Sequence, residues 1–260
     1  MQKVSVIIPA YNEENYITNC MEAIANQDYP NYEVIIVNNA SSDNTYAVIE
    51  SYIQRKGLTN FILLQEIKKG TNQARECARL AATGSIIAQL DADCIPDTDW
   101  ISNGVKALLP KNVVAATGAY FYFDSSFFAR NLSLFSQLIS YPVINTIVQK
   151  TNRGAIMIGG NAFVYANILD YAGGYNTSLT FYGDDVDVAN RVAQYGWINY
   201  APSLTINSSY RRFNALGFWK VNKKYQDFFW NIIFRKEIDL SSTIESVSYT
   251  HLTLPTIYSV

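Results

Sequence analysis

Residues 86–93 read IIAQLDAD, an apolar run that ends on two carboxylates one residue apart. The run has the length and composition of a strand that is buried on both faces. Carboxylates at the end of a buried strand repel each other unless a cation lies close to both. Asp91 and Asp93 therefore predict either a Mg²⁺ or Mn²⁺ site or a solvated turn, and their position after a buried strand favours the metal.

Strand and helix patterns alternate on both sides of this run. Residues 4–8, 33–37, 61–65 and 85–90 have strand-like composition, whereas 15–26, 46–56 and 71–82 carry helical spacing. Repeats of this length predict right-handed βαβ units. The sequence therefore indicates an α/β fold with a mainly parallel central sheet flanked by helices.

Three of the predicted strands end in polar segments. They read PAYNE at 9–13, NNASSD at 38–43 and DAD at 91–93. Parallel sheets bind their ligands at the carboxyl ends of the strands, so we expect the three segments to share one edge. Together they indicate a site more strongly than any one of them does alone.

A second acidic cluster, Asp184, Asp185 and Asp187, follows Gly183. These residues suit the first turn of a helix, where carboxylates cap backbone N–H groups and are favoured by the helix dipole. The functional alternative is a general base on a helix N-terminus, facing the metal across a groove. An Asp side chain with an ordinary pKa near about 4 is ionised at neutral pH and can accept a proton.

Basic residues occur in two places that could hold phosphate. Lys68, Lys69 and Arg75 surround Gly70, at a predicted helix start, and Arg211 and Arg212 follow a predicted strand. Solvated surface charge is the alternative for each lysine. The sequence contains neither a Walker A loop nor GxGxxG, which disfavours ordinary kinases and dehydrogenases.

The bulk composition excludes several classes of protein. The 260 residues are 49% hydrophobic and 16% charged, which predicts an ordered core, and the net charge of −2 gives no general attraction to nucleic acid. Cys20, Cys77 and Cys94 lack paired spacing and are expected to be reduced thiols of a cytosolic protein. The first residues do not read as a signal peptide, and the apolar stretch 132–148 is too short and too interrupted for a membrane span.

The second half is less regular, but we find no repeat or linker and predict one domain over residues 1–240. We expect a strand or hairpin at 113–123, an amphipathic helix at 127–149, a helix at 184–195, a strand at 198–206 and an aromatic helix to about 235. Residues 241–260 show neither helical nor strand spacing and contain the single histidine of the sequence, His251. We interpret them as a non-native or disordered tail.

Four stretches together resemble one family. They read VSVIIPAYNEENYI from Val4, EVIIVNNASSDNT from Glu33, KGTNQARECARLAATGSIIAQLDAD from Lys69, and GGNAFVYANILDYAGGYNTSLTFYGDDVDVANRV from Gly159. Their order and spacing over about residues 3–213 are similar to those of family 2 inverting glycosyltransferases of the GT-A fold. The resemblance implies a nucleotide-diphosphosugar donor, usually UDP-linked, and bound Mn²⁺ or Mg²⁺.

The resemblance also implies roles for individual residues. Pro9, Tyr11, Glu13, Asn38 and Asp91 would line the nucleotide, and Asp93, with Asp91, would hold the metal. Gly160 and Asn161 would lie in the acceptor and donor-sugar loop, and Asp185 would be the base, next to Asp184. From the basic cluster described above, we add Gly70 and Arg75 to the predicted nucleotide-binding residues. Asn38 stands where the family commonly has an Asp that reads the base, which leaves the nucleotide open. Asp184 replaces the more usual Glu. The Gln-x-x-Arg-Trp motif of processive members is not found at 210–213, so we expect transfer of a single sugar.

The acceptor is not readable from the sequence. The resemblance implies a saccharide or a lipid-linked saccharide, used in polysaccharide or glycolipid synthesis in the cytoplasm or at the inner face of the cell membrane. The segment 127–148 and the aromatic residues 228–230 either pack on the domain and cover the acceptor groove, which we slightly favour, or contact a membrane peripherally. A sugar-phosphate nucleotidyltransferase and a non-catalytic sugar-nucleotide-binding protein remain alternatives, and the oligomeric state stays open.

Overall fold

Strands and helices alternate through most of the chain, for which the computed structural model describes residues 1–179, 183–217 and 223. The strands are β1 Val4–Ala10, β2 Tyr32–Asn38, β3 Phe61–Gln65, β4 Ile86–Leu90, β5 Cys94–Ile95, β6 Val113–Thr117, β7 Tyr120–Tyr122, β8 Asn161–Tyr165, β9 Trp197–Tyr200 and β10 Ile206–Ser208. The helices are α1 Ile17–Ala25, α2 Thr45–Lys56, α3 Thr71–Ala81, α4 Trp100–Ala107, α5 Phe127–Phe135, α6 Tyr141–Lys150, α7 Ala166–Tyr171, α8 Asp184–Val192 and α9 Arg211–Leu216. A π-helical turn, Ser136–Ser140, joins α5 to α6, and a 3₁₀ turn, Pro202–Leu204, precedes β10.

Within the described residues, seven strands form the central sheet, in the order β3-β2-β1-β4-β8-β6-β9. The first four of these are parallel, as predicted, and β8 runs antiparallel to both β4 and β6. Leu90 at the end of β4 pairs with Asn161 at the start of β8. The reversed strand therefore begins at the edge where the parallel strands end. A small second sheet contains β5, β10 and β7.

Both faces of the central sheet are buried, which explains the apolar runs that lack alternation. Along β1, Val6 and Ile8 pack into the core on one side, and Ile7 packs into the core on the other. On the first side, the rings of Trp100 and Phe163 have centroids 4.6 Å apart. α4 approaches Phe163 closely, since a Cβ on Gly104 would lie 2.2 Å from that ring.

The second half differs from the sequence prediction in its strands. The stretch 113–123 is divided into β6 and β7, which belong to different sheets. The chain divides at Gly118, where a Cβ would lie 2.4 Å from the Leu204 carbonyl oxygen, so only glycine permits this approach. The stretch predicted as a strand at 198–206 is also divided, because Pro202 begins the 3₁₀ turn between β9 and β10.

The predicted helices of the second half are confirmed in part. Residues 127–149 are helical, with the π turn in the middle. α8 ends at Val192, three residues before the predicted end. The start of the aromatic helix coincides with α9, and the remainder of that prediction, with residues 228–230 and 241–260, lies outside the described residues.

A buried carboxylate ties the amino-terminal edge of β2 to its neighbours. Glu33 is 7% exposed and accepts hydrogen bonds from Lys3 Nζ at 2.7 Å, Ser5 Oγ at 2.6 Å and the Thr83 backbone N–H at 2.7 Å. Burial opposes ionisation, but these donors outweigh it and lower the pKa of Glu33 to about 2. The ionised carboxylate therefore stabilises the folded state.

We predict that Glu33→Gln lowers the free energy of unfolding at pH 7 by about 2–3 kcal/mol. The folded pKa lies below the unfolded one, so this stabilisation is complete above the unfolded pKa and is lost as the pH falls towards 2. Urea unfolding at pH 7 and pH 3 should therefore show a smaller difference between variant and wild type at pH 3. The exposed Glu50→Gln is the control, and an equal loss in both variants would contradict the assignment.

Candidate active site

The loops after β1 and β2 are locked together at the carboxyl edge of the sheet. The Asn12 backbone N–H donates to Ser41 Oγ at 3.1 Å, and the Ser42 N–H donates to Asn12 Oδ1 at 2.8 Å. Asn12 and Ala40 both have positive φ, 55° and 52°, which turns each loop sharply at the strand end. The Glu13 N–H donates to Thr45 Oγ1 at 2.7 Å, which places Glu13 beside the start of α2.

The loop between β3 and α3 is held by a single buried amide. Asn39 donates through Nδ2 to the carbonyl oxygens of Glu66 and Lys68, at 3.1 and 2.7 Å, and accepts from the Gly70 N–H at 2.8 Å. Lys69 then reaches back to Tyr11, with 3.0 Å between Nζ and the phenol oxygen. The predicted residues Tyr11 and Gly70 therefore lie on the same edge of the sheet.

Gly160 brings the start of β8 against Asp91. A Cβ at Gly160 would lie 2.1 Å from Asp91 Oδ2 and 2.3 Å from the Tyr120 hydroxyl, so any other residue would displace both groups. The Tyr120 hydroxyl donates to Asp91 Oδ2 at 3.2 Å. Burial raises the pKa of Tyr120 well above its ordinary value, so the hydroxyl keeps its proton.

Arg75 joins the strand edge to α8. Its side chain is only 5% exposed, and its guanidinium donates to Asp184 Oδ2 at 2.7 Å and to Asp91 Oδ1 at 3.2 Å. Burial alone would lower the pKa of Arg75, but Asp184 and Asp91 raise it above its ordinary value. One buried cation therefore holds two carboxylates that are ninety-three positions apart in the sequence. We call this the Arg75 bridge.

Asp185 lies beside the Arg75 bridge. A Cβ on Gly159 would be 3.0 Å from the Asp185 Cβ and 3.2 Å from Arg75 Nη1, so Gly159 packs closely against both residues. Asp185 Oδ1 accepts a hydrogen bond from the Val186 N–H at 2.9 Å. The α8 N-terminus thus presents two adjacent acids, of which Asp184 is paired with Arg75.

Arg211 makes a second arginine bridge, between Glu13 and Asp93. Its Nε donates to Asp93 Oδ2 at 3.0 Å, and its Nη2 donates to Glu13 Oε1. The guanidinium also lies over the Tyr16 ring, 4.4 Å from the centroid. The two acids of the DAD motif are therefore each paired with a different arginine, Asp91 with Arg75 and Asp93 with Arg211. Glu13 and Arg211 are 198 positions apart.

Glu13 carries the clearest electrostatic perturbation in this group. Burial raises its pKa to about 7; Arg211 opposes the rise, and Asp93 and Asp91 add to it. Its second oxygen, Oε2, is buried and has no hydrogen-bond partner. A buried acceptor without a donor is costly, and it is suited to receive a ligand cation or a ligand proton.

Of the other predicted site residues, some lie at the carboxyl edge of the sheet and one is buried in the core. Asn38 ends β2, opposite Ala10, and its Oδ1 is buried without a hydrogen-bond partner. Pro9 lies in β1, opposite Val37 of β2. Asn161 is fully buried: its amide accepts from Trp100 Nε1 at 2.9 Å and donates to the carbonyl oxygens of Ala119 and Leu204. The structure therefore does not bring the Asn161 side chain to the groove. It supports β8 from within the core instead.

The sequence left Tyr120 out of the candidate residues and named Arg211 only as a basic residue after a strand. The contact of Tyr120 with Asp91 and the contact of Arg211 with Asp93 join chain segments that meet only after folding. A weak signal existed for Arg211, because an arginine after a strand at the site edge is expected to meet acids. No comparable signal marked Tyr120 among 19 tyrosines.

The described residues contain no group of three or more His, Cys, Asp or Glu side chains that converge as metal ligands. Both oxygens of Asp91 are engaged, by Arg75 and by Tyr120. Asp93 and Glu13 share Arg211, and Glu13 Oε2 is the acceptor without a partner. Within this group of acids, Glu13 Oε2 is therefore the buried carboxylate oxygen that has no hydrogen-bond partner.

Comparison with known proteins identifies the family. The family described as "Glycosyl transferase family 2" matches this chain over residues 5–171, which is more than half of its length. The chain belongs to this family.

Two curated relatives illustrate the similarity. Glycosyltransferase AglE of Haloferax volcanii is 36% identical over 107 residues, 40% of this chain and 35% of its own. The Escherichia coli enzyme named UDP-Glc:alpha-D-GlcNAc-diphosphoundecaprenol beta-1,3-glucosyltransferase WfgD is 37% identical over 123 residues, 45% of each chain. The matched part of this chain thus spans less than half the length of these relatives.

Solved structures confirm the GT-A fold. The mannosyltransferase PcManGT of Pyrobaculum calidifontis, in complex with GDP-Man and Mn²⁺, superposes with a TM-score of 0.70 at 25% identity, over 90% of this chain and 64% of that chain. Staphylococcus aureus TarS 1–349 in complex with UDP superposes with a TM-score of 0.63 at 19% identity, over 80% of this chain and 60% of that chain. At 19% identity, the similarity to TarS shows a shared fold and nothing further.

We predict that Arg75→Met destabilises the chain by about 3–5 kcal/mol, because it leaves two carboxylates without their buried cation. Asp184→Asn in the same chain should recover part of the loss, with a coupling energy of about 0.5–3 kcal/mol in a double-mutant cycle measured by urea unfolding.

Arg79→Met is the matched control, one helical turn further along α3. Arg79 pairs with Glu76 and with Asp170, which is half exposed, so we expect a smaller loss, of about 1 kcal/mol. Equal losses at Arg75 and Arg79, without recovery by Asp184→Asn, would show that Arg75 does not act through the bridge.

Proposed function

We propose that this chain is the catalytic domain, over residues 1–240, of an inverting glycosyltransferase that moves one sugar from a nucleotide-diphosphosugar to an acceptor hydroxyl. The observation that carries the proposal is Asp185 at the start of α8, beside the bridge from Arg75 to Asp184 and Asp91. This constellation belongs to a member of glycosyl transferase family 2. It puts a candidate base next to the edge where a parallel sheet binds its ligand.

In the proposed reaction, Asp185 accepts the proton of the acceptor hydroxyl as the oxygen attacks the anomeric carbon. The sugar–phosphate bond breaks on the opposite side, so the configuration at that carbon inverts. Asp184 and Arg75 act as positioning residues, because their ion pair sets where the first turn of α8 lies relative to β4. Gly159 leaves space beside Asp185, which a larger side chain would take from the substrates.

The nucleotide is proposed to lie over the carboxyl ends of β1 and β2. Asn38 Oδ1 is a buried acceptor without a partner, and an amide can both donate to and accept from a base edge. Lys69 and Tyr11 lie together on the same edge and would contact the phosphates or the ribose. Relatives of this fold have been solved with UDP and with GDP-Man, and we take UDP as the first donor nucleotide to test.

A divalent metal is proposed to bind Asp93 and donor phosphate oxygens. Glu13 takes the place of the predicted ligand Asp91, whose oxygens are bonded by Arg75 and Tyr120. The donor set fits, because hard oxygens suit Mg²⁺ and Mn²⁺, which protein sites often hold through one or two carboxylates plus substrate phosphates. The unpartnered Glu13 Oε2 supports this assignment. When bound, the metal would neutralise charge on the departing diphosphate. Arg211 has to release Glu13 and Asp93 for this, and its guanidinium can then pair with phosphate.

The acceptor is proposed to be a lipid-linked saccharide. WfgD is named for a diphosphoundecaprenol-linked acceptor, and a Methanococcus voltae relative, 33% identical over 108 residues, is named for a dolichyl phosphate-linked one. The chain covers only part of these proteins, so the acceptor rests on the similarity of this region.

We predict that Asp185→Asn lowers kcat for sugar transfer by at least about a thousandfold, because the acceptor hydroxyl loses its base. Affinity for UDP, measured by calorimetric titration with Mn²⁺, should stay within about twofold of wild type. Asp187→Asn, in the same helix turn and paired with Arg191, is the control. Equal loss of transfer and nucleotide binding in Asp185→Asn would argue against Asp185 as the base.

We predict that Arg211→Met increases the affinity for Mn²⁺ about tenfold, because the guanidinium no longer competes for Asp93 and Glu13. The Mn²⁺ titration should be followed by electron paramagnetic resonance at pH 8. Burial raises the pKa of Glu13, and removal of Arg211 raises it further, so a lower pH would protonate this ligand.

Arg79→Met removes an arginine from a different pair of carboxylates and should leave the Mn²⁺ affinity unchanged. Transfer is expected to fall in Arg211→Met even though metal binding improves, because the variant lacks a phosphate partner. Unchanged or weaker Mn²⁺ binding in Arg211→Met would exclude competition for the site.

A further inference from the structure

A line of large apolar side chains is exposed along the helical segment from α5 to α6. Its members are Phe128, Leu132, Phe135, Ile139, Val143 and Ile147, and we call them the apolar ridge. Each is between 47% and 76% exposed. Their spacing of three or four residues puts them on one face of the helix. The ridge is therefore a continuous surface and not a scatter of single residues.

The π turn keeps the ridge on one side. Four-residue spacing drifts around an ideal α-helix by about 40° per step, since each residue advances by about 100°. A π turn is wider, so each residue in it advances less and the drift is reduced. Ile139 lies within the turn and Val143 follows it, and they are 53% and 56% exposed.

The buried residues of this helical segment are Gln137, Asn145 and Val148, of which two are polar. Gln137 is 5% exposed and accepts from the Tyr120 N–H at 2.9 Å, and Asn145 is 2% exposed and donates to the Ile198 carbonyl oxygen at 3.0 Å. Gln149 exchanges two hydrogen bonds with the backbone of Ile198. An ordinary surface helix has the reverse arrangement, with apolar residues facing the core. The segment is therefore fastened to the domain through amides and presents its apolar side outward.

The charged residues of the helical segment and of the loop after it have one sign. The sequence has no Asp or Glu between Asp124 and Asp170, whereas Arg130, Lys150 and Arg153 occur in that interval. Lys150 and Arg153 are exposed at the end of α6, and the Arg130 guanidinium lies 5.8 Å from the Phe127 ring centroid, at the start of α5. A second copy facing this ridge about a twofold axis would bring cations together without intervening acids. Anionic lipid headgroups would pair with them instead.

The ridge is also connected to the candidate active site. Gln137 binds both the N–H and the carbonyl oxygen of Tyr120, at 2.9 and 3.1 Å, and the Tyr120 hydroxyl binds Asp91. One residue therefore separates the helical segment from the carboxylate edge. A surface that seats the ridge would lie close to that edge.

We propose that the apolar ridge docks on the surface of an anionic lipid bilayer, with its side chains at the headgroup boundary and its cations among the headgroups. The proposed interaction is contact with a membrane surface. No helix among residues 1–179 and 183–217 combines the length and the hydropathy of a membrane span. Docking brings the Asp91 edge to a lipid-linked acceptor, and only this consequence rests on the proposed function. The initial preference for packing of 127–148 onto the domain is replaced, since its apolar side is exposed.

Vesicle flotation of the full chain tests the docking. The chain should float with vesicles of phosphatidylcholine and phosphatidylglycerol, and several-fold less with phosphatidylcholine alone or in high salt. The double variant Phe135→Asp, Ile139→Asp should reduce the bound fraction at least about tenfold. The matched control is Leu80→Asp, Leu109→Asp, which changes two side chains that are 70% and 69% exposed elsewhere, and it should float like wild type.

Circular dichroism and a cooperative thermal unfolding transition check that each variant is folded. Failure of the folded wild type to float, or equal flotation of the ridge variant, overturns the proposal. A self-associated wild type that becomes monomeric in the ridge variant, without flotation of either, would assign the ridge to a second copy and also overturns it. The Asp185→Asn variant should float like wild type, so a failure of the proposed catalysis is distinguishable from a failure of docking.

Discussion

The guanidinium of Arg75 is the interaction on which the candidate site depends. It is buried between Asp91, at the end of β4, and Asp184, at the start of α8, and it joins the parallel half of the sheet to a helix from the second half of the chain. A buried cation with one partner would be costly, and two carboxylates without it would repel each other. The three groups therefore stabilise one another only when the whole domain is folded. Asp185 is the next residue of α8 and lies beside the same bridge.

Arg211 repeats the arrangement on the other side of the DAD motif. It pairs with Glu13 and Asp93, and its side chain is 32% exposed, compared with 5% for Arg75. The more exposed arginine is the one that can leave at lower cost, because its charge is already partly solvated. The edge of the sheet thus combines one deeply buried cation with one that is more accessible to solvent.

The helical segment from α5 to α6 links this chemistry to a surface. Its amides satisfy backbone groups at Tyr120 and Ile198, and Val148 is the buried apolar residue of the segment. The residues of the ridge face outward, and residues 125–169 contain no acidic residue, so the net charge of this stretch is positive. The face that is attached by hydrogen bonds and the apolar face lie on opposite sides of the helix, and a helix buries only one side against a single domain.

Local sequence was sufficient for the α/β class, the parallel strands and their polar ends, because buried parallel strands require uninterrupted apolar runs and their loops need turn residues. It was also sufficient to mark Asp91, Asp93, Asp184 and Asp185 as candidates. The pairing of these acids was decided by tertiary structure: Arg75 selects Asp91 and Asp184, and Arg211 selects Asp93 and Glu13. The same is true of the division of 113–123 into two sheets, the burial of Asn161 and the outward face of 127–147. Charge pairing and burial depend on which distant segments meet, and a pattern of neighbouring residues does not contain that information.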